Sequence, residues 1–144
     1  MARRIDTSTP DRELTGLLHA RGLRVTPQRL VINRLLRARD AHLTAEQLHA
    51  ATTRDLPGTS LPTVYATLDL FVELGLVRRL RAGSTAVLYD SRTTAHHHAV
   101  CRLCGAVHDL DLPLTGETPP DVDGFTVERV DVTVEGVCAA CRRA

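Results

Sequence analysis

The segment TTAHHHAVCRLCG, residues 93–105, packs three consecutive histidines and a Cys-x-x-Cys pair into a short stretch, and a second such pair follows at Cys138 and Cys141. Structural zinc (Zn2+) takes four soft ligands in a tetrahedron, and Cys101, Cys104, Cys138 and Cys141 have the spacing of two pairs joined by a connecting sheet. A redox-active dithiol would need one pair only. In a reducing compartment four cysteines so arranged read as metal ligands before disulfides. Such a site contributes on the order of 10 kcal/mol to folding, enough to rescue a small domain.

The histidines need a different account. If residues 96–101 are extended, side chains alternate, so that His96, His98 and Val100 point one way and His97, Ala99 and Cys101 the other. One segment then feeds two sites. His96 and His98 can chelate together on the face away from the cysteines, with Asp90 and Asp109 in flanking segments and His42 farther upstream as candidate partners. Nitrogen and carboxylate donors without thiolate suit Fe2+, Mn2+ or similar ions better than a closed zinc site. The alternative is a solvated histidine run. His97 is expected to face solvent or support a ligand, His19 and His49 to be ordinary helix or surface residues, and alternation turns His108 away from its neighbour Asp109.

The elements that must position these groups divide the chain in two. Helical periodicity runs through residues 11–21 (Leu14, Leu17, Leu18), with Gly22 placed as a stop. A second helix should begin at Thr26-Pro27, with Leu30, Val31, Leu35 and Leu36 as its apolar stripe. Thr44-x-x-Gln47 is a capping box opening a third helix to about Thr53. Ser60 should cap a fourth that reaches Leu74 and ends at Gly75. In that helix Val64, Leu68, Phe71 and Val72 share one face, leaving Thr63, Tyr65, Ala66 and Asp69 outward near its first turns. Recognition helices present side chains to the major groove in this way. Residues 76–80 and 86–89, with RAGST between them, read as a hairpin whose Arg78, Arg79 and Arg81 are available to phosphates. A helix-turn-helix followed by a hairpin is a winged helix. Thr63 and Tyr65 are the candidates for base contact, and Arg24, Gln28 and Arg29 for backbone contact.

Charge follows the same division. Residues 1–84 carry 13 Arg and 8 acidic residues, whereas residues 85–144 carry 5 Arg and 9 acidic residues, although the whole chain is only +1. The fold expected is therefore α+β: a winged helix-turn-helix domain over residues 1–84, a hinge over 85–90, and a small α/β dimerisation and metal-binding domain over 91–144. No run of eighteen apolar residues occurs and the start, MARRIDTSTP, has no apolar stretch resembling a signal peptide. A cytoplasmic protein without a membrane partner is expected. A metal-dependent hydrolase or dithiol oxidoreductase is disfavoured, because no nucleophile–base arrangement is apparent. A metal-storage or chaperone protein would have no use for the basic half.

These residues resemble the ferric uptake regulator family of metal-dependent bacterial repressors. The likeness runs through "RVTPQR" (24–29), "HLTAEQLH" (42–49), "LPTVYATLDLFVELGLV" (61–77), "HHHAVCRLCGAV" (96–107) and "GVCAAC" (136–141). It implies a homodimer with an N-terminal winged helix that binds palindromic double-stranded DNA. Within the family the likeness is greatest to the peroxide-sensing branch, whose regulatory metal, matched motif to motif, would sit on His42, Asp90, His96, His98 and Asp109. Iron-uptake regulators typically place glutamate at the Asp109 position. The resemblance implies that bound Fe2+ reacts with hydrogen peroxide and oxidises His42 or His96; the alternative is a metal-uptake regulator of the same family. Ala66 departs from the Asn or Arg common in relatives. Ala95 and Val130 stand where some relatives have histidines of an additional site, which implies no third site here. A metal shared between His42 in the basic half and the later ligands would favour one orientation of the halves.

Overall fold

The computed structural model describes residues 8–38, 42–81, 86–111 and 121–144. The chain forms two compact units that meet in sequence at Thr93 and Thr94. The first contains α1 (Ser8–Ala20), α2 (Pro27–Arg37), α3 (Ala45–Asp55) and α4 (Leu61–Glu73), followed by β1 (Arg78–Leu80) and β2 (Leu88–Asp90). The second contains β3 (His97–Cys101), β4 (Val107–Leu110), β5 (Asp121–Val122), β6 (Phe125–Thr126), β7 (Thr133–Gly136) and α5 (Ala139–Arg143). This is the expected α+β class.

Local chemistry sets the helix ends. Thr26, Thr44 and Ser60 each accept a backbone N–H three residues on, and Gln47 closes the capping box by accepting the Thr44 N–H. The first helix is already in place at Ser8, ahead of the apolar stripe that marks it. Gly75 ends α4 at φ +71°, a conformation that a side chain would strain.

The helices pack around one apolar core: Leu14 and Leu18 from α1, Ile32 and Leu36 from α2, Leu48 from α3, and Val64, Leu68 and Phe71 from α4. Val77 and Tyr89 add the base of the wing. Strands β1 and β2 are antiparallel, with Arg78 opposite Asp90, Arg79 opposite Tyr89 and Leu80 opposite Leu88. Residues 88–90, which fall in the expected hairpin and also within the span 85–90 expected as a hinge, form the second strand of the wing, their backbone pairing with β1. The tip of the wing at residues 82–85 lies outside the described residues. Two ion pairs, Asp11 with Arg34 and Glu13 with Arg37, tie α1 to α2.

The second unit is built differently. Its three-stranded sheet has the order β4-β3-β7, antiparallel between β4 and β3 and parallel between β3 and β7. A separate hairpin, β5–β6, turns through Asp123 and Gly124, both at positive φ, as a two-residue turn of this hand requires. Among the described residues of this unit the buried apolar side chains are Val100 and Cys101. Those two side chains alone cannot offset the entropy of ordering the segment. No helix among the described residues is long and apolar enough to cross a membrane.

The two units should therefore respond differently to core damage. Phe71→Ala, at a site with no exposure, is expected to cost about 3–5 kcal/mol, measured as a lowered urea midpoint of the helical transition. Zinc content should be unchanged.

Candidate metal centres and nucleic-acid face

Four sulfurs converge in the second unit. The Sγ atoms of Cys101, Cys104, Cys138 and Cys141 lie within 4.8 Å of one another, and the Cys104–Cys138 pair is 3.8 Å apart. A tetrahedron with zinc–sulfur bonds of about 2.3 Å has edges of about 3.8 Å. The first pair sits on the turn leaving β3, where Gly105 at φ +73° lets its N–H reach back to the Cys101 carbonyl at 2.8 Å. The second pair opens α5, with Cys138 as its N-cap accepting the Cys141 N–H at 3.5 Å.

Charge in this cluster is unevenly shared. The backbone N–H of Cys138 donates to Cys101 Sγ at 3.3 Å, and with other backbone donors it draws that thiol down to about 6. Hydrogen bonding to Cys138 and Cys104 pushes Cys141 up to about 12. Four thiolates at this separation repel one another, and a cation bound among them would displace the protons that remain. The donor set fits a structural zinc ion.

The histidine–aspartate groups form within each unit. In the second, His98 stands opposite Asp109 across the β3–β4 ladder, so the two side chains share a face, and His96 follows two residues away on the same side. Asp109 Oδ1 lies 3.3 Å from His96 Nε2 and 3.6 Å from His98 Nε2. His96 Nδ1 is 2.7 Å from the Thr94 carbonyl, which can only accept, so Nδ1 carries the proton and a neutral His96 offers a lone pair at Nε2. Two acceptors facing each other at this distance call for a cation between them, either a proton or a metal. Donors about 2.1 Å from a shared ion stand roughly 3 to 3.5 Å apart.

The first unit supplies a matching pair. An isolated antiparallel bridge joins Leu43 to Tyr89, with N–H···O distances of 2.8 and 3.4 Å, and the neighbouring residues are His42 and Asp90. Asp90 Oδ1 accepts the Arg92 N–H at 2.8 Å, while Oδ2 lies 3.6 Å from His42 Nε2. Both side chains are buried. Imidazole and carboxylate without sulfur fit a regulatory iron or manganese ion.

The other histidines are placed as their spacing suggests. His97 Nδ1 accepts the Val132 N–H at 3.1 Å, His19 and His108 are exposed, and His49 Nε2 meets the Thr59 carbonyl at 2.9 Å, bracing the turn before α4. On α4, Thr63, Tyr65, Ala66 and Asp69 are exposed opposite the buried Val64, Leu68 and Phe71. Ser60 Oγ meets the Thr63 hydroxyl at 2.9 Å. Arg24 is exposed, Gln28 and Arg29 are half-buried, and the Arg29 guanidinium donates to the Arg24 carbonyl at 2.5 Å. Arg79, expected to be available to phosphates, is instead paired with Asp69 at 2.5 Å, because the wing strand runs beside α4. That pair and a Tyr65–Glu46 hydrogen bond are unmarked in the sequence, since their partners lie in different elements.

A family description, the ferric uptake regulator family, matches residues 20–135. The peroxide-responsive repressor PerR of Staphylococcus aureus is 32% identical over 133 residues, covering 90% of each chain. Among solved structures, the ferric uptake regulator of Vibrio cholerae superposes with a TM-score of 0.69 at 26% identity, covering 87% of this chain and 99% of that one. PerR from Streptococcus pyogenes superposes with a TM-score of 0.55 at 25% identity, covering 92% of each.

Removal of the sulfur site tests its role. Cys101→Ser or Cys138→Ser should abolish zinc binding, read by native mass spectrometry, and unfold the second unit, read as lost amide-exchange protection in β3 and β7. A zinc-free variant with full protection would contradict a structural role.

Proposed function

Because the chain belongs to the ferric uptake regulator family, whose members are transcription regulators and not enzymes, we propose that it is a cytoplasmic, dimeric repressor that releases DNA when hydrogen peroxide oxidises a ligand histidine. The observation that carries this reading is the lone pair of His96 Nε2 facing a buried-side carboxylate oxygen of Asp109. That donor set would hold a ferrous ion while leaving an imidazole next to it. Aspartate rather than glutamate at position 109, together with the likeness to PerR, favours the peroxide branch.

In this reading His42 and Asp90 of the first unit and His96, His98 and Asp109 of the second are ligands of one regulatory ion, and Cys101, Cys104, Cys138 and Cys141 hold the structural zinc. Iron(II), when bound, would supply the one-electron chemistry that cleaves the peroxide O–O bond, so that one peroxide oxygen ends on the imidazole, the other leaves as water, and the two electrons come net from the ring; manganese(II) would not. Residues 1–84 with the second wing strand are the DNA-binding head, and residues 91–144 the dimerisation and metal-binding part. His42 and Asp90 ride on the folded head through the Leu43–Tyr89 bridge. Sharing an ion with the second unit therefore selects one orientation of the head, by an amount set by the difference in metal affinity between orientations. The Vibrio cholerae relative is described as undergoing rearrangement of its DNA-binding domains. Oxidation of His42 or His96 removes a donor and the selection with it.

The dimer is supported by apolar residues left in water on the second unit: Phe125 is 75% exposed, and Val122, Val130 and Val134 are also exposed. Strand β7, exposed along its length, lies at the sheet edge. Two heads related by a two-fold axis would meet a palindromic operator through Thr63 and Tyr65 on α4, with Arg24, Gln28 and Arg29 toward the backbone.

Two measurements test the proposal. His42→Ala should weaken manganese-dependent duplex binding by about tenfold or more with zinc content and helicity unchanged, and wild-type affinity should fall with salt at a slope of about −0.9 per phosphate neutralised. Iron-loaded protein given mild peroxide should gain the mass of one oxygen atom on His42 or His96, with manganese-loaded protein spared. Iron-dependent DNA binding with no oxygen gain would favour a metal-uptake regulator instead.

A further inference from the structure

The head carries a carboxylate on the face that would meet phosphate. Glu46, the second residue of α3, is exposed and accepts a hydrogen bond of 2.6 Å from the Tyr65 hydroxyl of α4. Tyr65 is itself 41% exposed. The bond holds the Glu46 carboxyl below its usual range and the Tyr65 hydroxyl above its own, so the pair stays carboxylate and phenol at neutral pH. Both residues line a groove of about 650 Å³ between α3, α4 and the wing, shared with Arg79, Arg81 and Tyr89.

We propose that Glu46 is a specificity-determining positioning residue: it fixes the Tyr65 ring on α4 so that the ring, rather than the hydroxyl proton, meets the base edge. A phenol has one proton to donate, and here Glu46 takes it. What Tyr65 then offers to DNA is its ring, a flat apolar surface suited to an apolar base edge such as the thymine methyl group. Without Glu46 the ring would turn about its side-chain bonds, and entropy would be lost on binding. A carboxylate near phosphates weakens binding to every duplex alike. Its benefit therefore lies in discrimination, not in affinity.

This inference rests on the DNA-binding reading of the first unit, and one experiment separates the two. Manganese-loaded wild type, Glu46→Ala, Glu46→Gln, Tyr65→Phe and the Glu46→Ala/Tyr65→Phe double variant are each used to select duplexes from a randomised library. Affinities for the wild-type winner and for a scrambled duplex are then measured. Glu46→Ala and Tyr65→Phe should each lose preference at the same base position and reduce the ratio of the two affinities by about tenfold, as expected for one oriented charged hydrogen bond. The double variant should lose no more than either single one. Glu46→Gln, which keeps the acceptor oxygen and drops the charge, should retain the preference and bind both duplexes more tightly. A Glu46→Ala protein that keeps the wild-type preference, or losses that add in the double variant, would overturn the positioning role. Failure of the wild type to enrich any sequence would overturn the DNA-binding reading, and this inference with it.

Discussion

The central constraint in the second unit is the convergence of four sulfurs, close enough to share one cation. With Val100 and Cys101 as the buried apolar residues among those described, their burial alone cannot hold β3 between β4 and β7. The sulfur cluster can, because Cys101 lies at the end of β3 and Cys138 directly follows the segment leaving β7. The same strand begins at His97, one residue after His96. One end of β3 is thus anchored by sulfur, and the other presents imidazoles. The register that sets His98 opposite Asp109 is only as firm as that anchor.

The first unit has the opposite design. Its core draws on all four helices and the wing, and three of its helices open on side-chain caps, so its packing needs no metal ligand. That packing has a use: the Leu43–Tyr89 bridge fixes His42 beside Asp90 on the same body that carries α4. An ion bound by a floppy segment would report nothing to DNA. Under the proposed mechanism, an ion held by residues that move only with the whole head would bias where the head points.

The charge of the head is more structured than its net value. Several arginines are already engaged, Arg34 and Arg37 with α1 and Arg79 with Asp69. Exposed pairs of this kind add little stability, but they decide which guanidinium groups remain for a ligand. Arg24 and Arg81 are exposed.

Much of this was legible in the residues alone. Capping at Thr26, Thr44 and Ser60, the exposed face of α4, the paired cysteines and the alternation of residues 96–101 are local rules with short range, and the folded chain obeys them. The membership of His42 and Asp90 in one pair was not local: it arises from a two-bond bridge between residues 43 and 89, which no spacing announces. Nor could sequence tell that Asp69 claims Arg79, or that Glu46 accepts the Tyr65 hydroxyl proton in a hydrogen bond. Periodicity determines which face of an element looks outward. Which other element comes to meet that face is decided by packing, and the site chemistry of this protein is made where such faces meet.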